Sequence, residues 1–312
     1  MPRTATTFFQ RVVFPEFKTL NYVGLPFTHI HPLFQNVMYE DDSTYERAPL
    51  QNWVQNHGDR ALLLSNENFV GQALYWHYGN RTRIATRLQQ AMPEATVLLF
   101  LRNQPELLKS MYLIALQDKE TCSLHDFIRF EPPVYQPENY SQQAAVDLFD
   151  WARYDTYHAC EYAPGYRYLP MVDLYKSLFP RVEIFLYEDF KSNPQDILSR
   201  LEEVFEYSLA DQARAQILGT RAMNQGVNER QAKKLRALNR WYPLAEKSRV
   251  GSGIYHRMKR RILAGSGGGK PVEWTTSDME QFKSLFADDN RELQRKYPEI
   301  GLNRHAGAYL FG

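Results

Sequence analysis

Three runs along the chain are apolar at consecutive rather than alternate positions: residues 61–65 (ALLLS), 96–101 (TVLLFL) and 182–187 (VEIFLY). A strand covered by helices on both faces has no solvent side, so continuous apolarity predicts buried parallel strands. Helix signals follow the second and third runs. After Leu101, Asn103 can cap, Pro105 sits in the first turn and Glu106 can close a capping box, with Leu107, Leu108, Met111 and Leu113 as the apolar face. After Tyr187 the order recurs: Asn193 as cap, Pro194 in the first turn, then Ile197, Leu198, Leu201 and Val204 at helical spacing. Strand, polar turn and capped helix together predict an α/β, doubly wound sheet.

The remaining segments read differently. Residues 117–165, with EPPVYQPENY in their middle, predict an insertion or lid of loops and short helices. Residues 265–271 (GSGGGKP) predict a flexible loop, and residues 277–297 an amphipathic closing helix with Phe282, Leu285, Phe286 and Leu293 apolar. The 312 residues carry no internal repeat and are expected to form a single domain over 1–312 with excursions.

Composition changes this picture little. Hydrophobic residues at 44% and charged residues at 23% fit an ordinary soluble protein, and 20 Tyr with 18 Phe predict an aromatic core and cleft. A net charge of +1 gives no global pull towards nucleic acid, although eleven Lys/Arg face a single acid, Glu246, between Arg230 and Arg261. Cys122 and Cys160 make neither a disulfide framework nor a metal spacing, which fits a reducing compartment. No apolar run approaches the ~20 residues of a membrane span. The start, MPRTATTFFQRVVF, lacks a signal peptide's apolar stretch, so the reading is cytoplasmic.

The chemistry begins at residues 2–10, PRTATTFFQ. A basic residue among small and hydroxyl residues, leading into an apolar helical pattern, suits phosphate: backbone N–H groups and the helix dipole face the anion, hydroxyls donate, and arginine neutralises charge. No glycine precedes Gly24, so the GxxxxGK[ST] nucleotide-triphosphate pattern is not met. The segment resembles the 5′-phosphosulfate loop, PKxGTT, of PAPS-dependent sulfotransferases, with Arg3 in place of Lys and Ala5 in place of Gly. In that family an Arg ending a strand and a Ser eight positions later hold the 3′-phosphate, and TVLLFLRNQPELLKSMY supplies Arg102 and Ser110 at that spacing. FLYEDFKSNPQDILSRLEEVF is similar to the family's late strand and YED turn, and NQGVNERQAKKLRALNR to a later region of bacterial members.

The resemblance implies a P-loop-like three-layer fold with a central, mainly parallel sheet flanked by helices, and transfer of a sulfuryl group from 3′-phosphoadenosine 5′-phosphosulfate (PAPS) to an acceptor hydroxyl. It implies Arg3 on the bridging oxygen, Thr4, Ala5, Thr6 and Thr7 on the 5′-phosphate, and Arg102 with Ser110 on the 3′-phosphate. No metal is required, and the expected partner is a small-molecule or glycan acceptor, met through residues 117–165. The family's loop follows a central strand, whereas only Met1 precedes Pro2 here. The expectation is therefore an upstream strand of about five to seven apolar residues running into Pro2.

Family members place a His or Glu base beyond the strand preceding the Arg–Ser strand, and LLLSNENF offers Glu67 there. A helix-start carboxylate is the alternative reading of Glu67. His29 and His31 in FTHIHPLF are the next candidates, without the acidic or thiol neighbours of a metal site. Two rival functions remain at this level. A P-loop kinase would need an acidic magnesium ligand, for which Asp189 is the candidate; a non-catalytic nucleotide- or polyanion-binding relative would need only the loop.

Overall fold

Side-chain pattern and strand position agree closely in the computed structural model, which describes residues 4–57, 60–71, 79–130, 161–220, 227–265 and 269–311. The strands are β1 (Asn21–Val23), β2 (Leu62–Leu64), β3 (Thr96–Leu101), β4 (Ile128–Arg129), β5 (Glu161–Tyr162) and β6 (Arg181–Leu186). The three apolar runs become β2, β3 and β6. β1 has three residues and no apolar run of its own, which is why the pattern did not announce it. Every ladder among the described residues is parallel: β1 with β2, β3 with β6, β4 with β5. The chain is thus α/β, helix-rich, with small parallel sheets.

The expected single central sheet is not continuous among the described residues, where the strands form three separate pairs. The reason lies between β2 and β3. Both strands line a cavity of about 190 Å³, so open space and not a backbone ladder separates them there.

The chain divides into two compact units. The first comprises Met1–Leu107, Arg167–Gln225 and Phe282–Gly312. Its core is built on β3 and β6, whose residues run from exposed at Thr96 and Arg181 to buried at Leu101 and Leu186. The Phe100 and Phe185 rings stack across the ladder at 5.1 Å, and Phe9 approaches Phe100 at 4.5 Å. Fully burying one such ring contributes about 1.5–3 kcal/mol, so this cluster anchors the opening helical residues to the sheet. Ile197, Leu198 and Leu201 of the helix Pro194–Phe205 join the same core. Asn193 precedes that helix as expected, but its side chain makes no capping bond.

The helix Gln104–Gln117 begins as its sequence predicts: Asn103 Oδ1 accepts from Glu106 N at 3.1 Å. The rest of the expected capping box is replaced. The Asn103 N–H donates to Glu188 (3.0 Å), while the Glu106 carboxylate turns to Arg102. The buried face follows Gln104, Leu108, Tyr112 and Leu116 at i+4 steps, together with Leu107; Met111 and Leu113 are only half-buried. An unbroken i+4 row winds around the helix and selects the large Tyr112 over Met111.

The second unit comprises Leu108–Tyr166 and Gly226–Gln281. A helical hairpin, Glu229–Ala245 and Arg249–Ala264, packs about Leu238, Ala245 and Tyr255. Buried Asn239 organises its interior: its amide donates to the carbonyls of Leu116 (2.8 Å) and Glu120 (2.7 Å) and its Oδ1 accepts from the Tyr255 hydroxyl (2.8 Å). The ladder β4–β5 belongs to this unit. Thus the two ends of the expected acceptor segment pair with each other, while residues 131–160 lie outside the described residues. The closing helix spans Thr276–Lys296, with Phe282, Phe286 and Leu293 buried as expected.

Candidate functional site

The carboxyl ends of β2 and β3 in the first unit carry the residues singled out by sequence. In open parallel sheets this is the end at which ligands bind. Beyond β2, Ser65, Asn66 and Glu67 line the cavity, and so does Thr6 from the opening loop. The Thr-rich loop and the expected base therefore share one cavity.

Several bonds fix the loop after β2. Gln10 Nε2 donates to Ser65 Oγ at 3.1 Å, tying the opening helical residues to it. Thr28 Oγ1 donates to Ser65 O (3.0 Å), and Asn66 Nδ2 donates to Thr28 O (2.9 Å). Asn66 Oδ1 then accepts from Asn68 N at 2.9 Å and starts the short helix Glu67–Val70. Glu67 is thus a helix-start carboxylate, as its alternative reading has it. Its Oε2 is buried without a hydrogen-bond partner, as is Gln10 Oε1. Such an oxygen costs about 1–3 kcal/mol unless something donates to it.

Arg3 lies outside the described residues. Thr4 is buried and Thr7 half-buried. Ala5 takes φ 62° and ψ 19°, the left-handed region, and its carbonyl accepts from Phe8 N and Phe9 N at 2.9 and 3.1 Å. This conformation costs a non-glycine residue about 1–2 kcal/mol and is the one that Gly takes freely. Ala5 therefore holds this turn at a cost in strain.

Arg102 follows β3 as Tyr187 follows β6, and the register Leu101↔Leu186 sets them side by side. The guanidinium lies 4.5 Å from the centre of the Tyr187 ring. It also meets Glu106 at 3.5 Å, a long i,i+4 pair with a partly exposed carboxylate, which restrains it weakly. The Tyr168 hydroxyl donates to the Arg102 carbonyl. Ser110 sits two turns along the helix Gln104–Gln117, half-buried, in the stretch belonging to the second unit.

The YED turn does more than its resemblance implied. Tyr187 stacks on Arg102. The Glu188 carboxylate accepts from Asn103 N (3.0 Å), Asn103 Nδ2 (2.7 Å) and the Tyr309 hydroxyl (2.7 Å), locking the residue after Arg102. Tyr309 is fully buried, and burial together with the Glu188 charge pushes its phenol well above its ordinary pKa. Asp189 bonds Arg304 and His305. Burial would raise its carboxyl, but these two partners outweigh that and hold it below the usual range. The acid that a kinase would use for magnesium is thus committed to the C-terminal segment. Tyr187 and Glu188 were missed as positioning residues because their partners lie far off in sequence.

His31 Nδ1 accepts from Leu33 N at 3.3 Å and caps the helix Pro32–Tyr39, with its ring against Phe27. That is a structural task. His29 presents its carbonyl to Gln35, and its Nε2 is buried without a partner.

No protein-family model matches the chain, and no curated protein matches it. Among solved structures the chain is similar to a sulfotransferase from Alicyclobacillus acidocaldarius. The identity is 17%, over 84% of this chain and 87% of that one, with a TM-score of 0.33.

Proposed function

We propose that this chain transfers a sulfuryl group from PAPS to an acceptor hydroxyl on a carbohydrate or other small molecule. One observation carries the reading: Thr6 of the phosphate-type loop and Glu67, with its unpartnered buried oxygen, line the same cavity between β2 and β3. The acceptor oxygen attacks sulfur, and the bond from sulfur to the bridging phosphate oxygen breaks. The acceptor proton passes to Glu67, and 3′-phosphoadenosine 5′-phosphate leaves. Such a reaction asks for alignment and for stabilisation of the leaving phosphate. Arg3 supplies the cation at the bridging oxygen, with Thr4, Ala5, Thr6 and Thr7 around the 5′-phosphate. Arg102, stacked on Tyr187, and Ser110 hold the 3′-phosphate. The engaged state of Asp189 supports this over an ATP-dependent kinase.

Calorimetry against phosphoadenosine phosphate and ATP tests the donor. The chain is expected to bind the former more tightly, and Arg102→Ala to weaken it by ~1.5–3 kcal/mol, the scale of a charge-assisted bond. Equal or better affinity for ATP would sink the proposal. Transfer of labelled sulfate from PAPS onto glycan, phenol and peptide pools identifies the acceptor class.

A further inference from the structure

The helical hairpin of the second unit carries a surface outside the residues assigned above to sulfuryl transfer. Around its turn the large apolar side chains point outwards: Val250 is 73% exposed, Leu244 65%, Ile254 45%, Met258 45% and Trp241 36%. A surface helix normally turns such residues inward, and a group of them in the open marks an interaction site. Val250, Ile254 and Met258 are spaced four apart, so they form one stripe, with Arg257 and Arg261 on the same side. The fully buried Tyr255 marks the inward face.

The charge on this hairpin is one-sided. Of the eleven Lys/Arg between Arg230 and Arg261, Arg236 bonds the Tyr112 hydroxyl and Lys259 the Gln117 carbonyl. The other nine are exposed and make no ion pair or hydrogen bond among the described residues, and Glu246 is the single acid between them.

We propose that the hairpin Glu229–Ala245 and Arg249–Ala264 docks this chain on an anionic lipid surface. The hairpin lies in the interface, with Leu244, Val250, Ile254 and Met258 at the acyl boundary and the cations among headgroup phosphates. A row of exposed aliphatics flanked by unpaired cations is the chemistry of interfacial helices. Trp241 suits the headgroup level. A second copy is disfavoured, because two such faces repel. Single-stranded nucleic acid takes cations and stacking aromatics, and gives the aliphatic row nothing to do. Among the described residues no helix is long and apolar enough to cross a membrane, so the proposal is attachment, not spanning.

The test is flotation of the full chain with phosphatidylcholine vesicles, with and without about a quarter phosphatidylglycerol. Binding is expected only with the anionic lipid, weakening as salt rises, since each cation near the surface contributes roughly fivefold. Two variants separate the contributions: Leu244→Gln/Val250→Gln/Ile254→Gln and Arg249→Gln/Arg257→Gln/Arg261→Gln. All six positions are exposed, so both are expected to fold as the parent does, checked by circular dichroism. Each is expected to lose roughly tenfold or more in vesicle binding. Failure of the parent to float with anionic vesicles overturns the proposal, as does equal binding to neutral ones. Unchanged vesicle binding by the apolar variant overturns it in favour of a soluble polyanion or acidic protein. Concentration-dependent dimerisation abolished by that variant overturns it in favour of a second copy. None of these readouts depends on turnover, so the proposal stands or falls apart from the transferase reading.

Discussion

Replacing Glu188 by Ala removes the carboxylate that joins the end of β6 to the residue after Arg102. Three donors lose their acceptor: Asn103 N, Asn103 Nδ2 and the Tyr309 hydroxyl. Hydrogen bonds to a charged group contribute about 1.5–3 kcal/mol each, but Glu188 is half-buried and water can reach part of the gap. Tyr309 is fully buried and has no such relief. The net cost is therefore about 2–4 kcal/mol. At about 2–4 °C per kcal/mol for large domains, the melting midpoint should fall by roughly 5–15 °C. Scanning calorimetry reads this directly, with Tyr309→Phe as the partner variant, expected to cost about 1 kcal/mol. Because that hydroxyl bonds the same carboxylate, the double variant should cost little more than Glu188→Ala alone. Asn103 directly follows Arg102, so phosphoadenosine phosphate affinity should fall roughly tenfold as well. A melting point within about 1 °C of the parent, or fully additive costs, would refute the claim that Glu188 holds Arg102 in place.

Glu67→Gln should lower turnover by about 10²–10⁴-fold with little change in donor affinity, measured by product release and calorimetry. Normal turnover with a dead His29→Ala or His31→Ala moves the base to histidine. Glu161 is buried on β5, and burial raises its carboxyl to about 7 against the opposing bond from Tyr166. The folded chain then holds a proton that the unfolded chain releases from about pH 4.5, so stability is full below that pH and declines towards pH 7. Glu161→Gln should flatten the decline, worth about 3 kcal/mol; an unchanged pH profile of melting would contradict the assignment.

Local chemistry made several elements readable. Apolar-rich runs named β2, β3 and β6, because a strand covered on both faces leaves few polar positions. Asn103 and Pro105 named a helix start, because capping depends on residues within one turn. The Thr-rich loop, Arg102 and Glu67 were visible as types suited to anions and proton transfer. What lay beyond the sequence was pairing. Which strands share a ladder, and that a cavity instead of a ladder separates β2 from β3, depend on contacts between segments distant along the chain. Glu188 stands 85 residues from Asn103, and Gln104 stands 186 from the buried Asn290 whose amide it meets. No local pattern encodes such partners, because each residue type there would serve equally well at the surface. The sequence by itself determined which residues are of a type suited to phosphate, and the tertiary structure decided which of them are held still and which line a cavity. Side-chain type is a property of one position, whereas fixed geometry requires distant backbone to be packed and bonded around it.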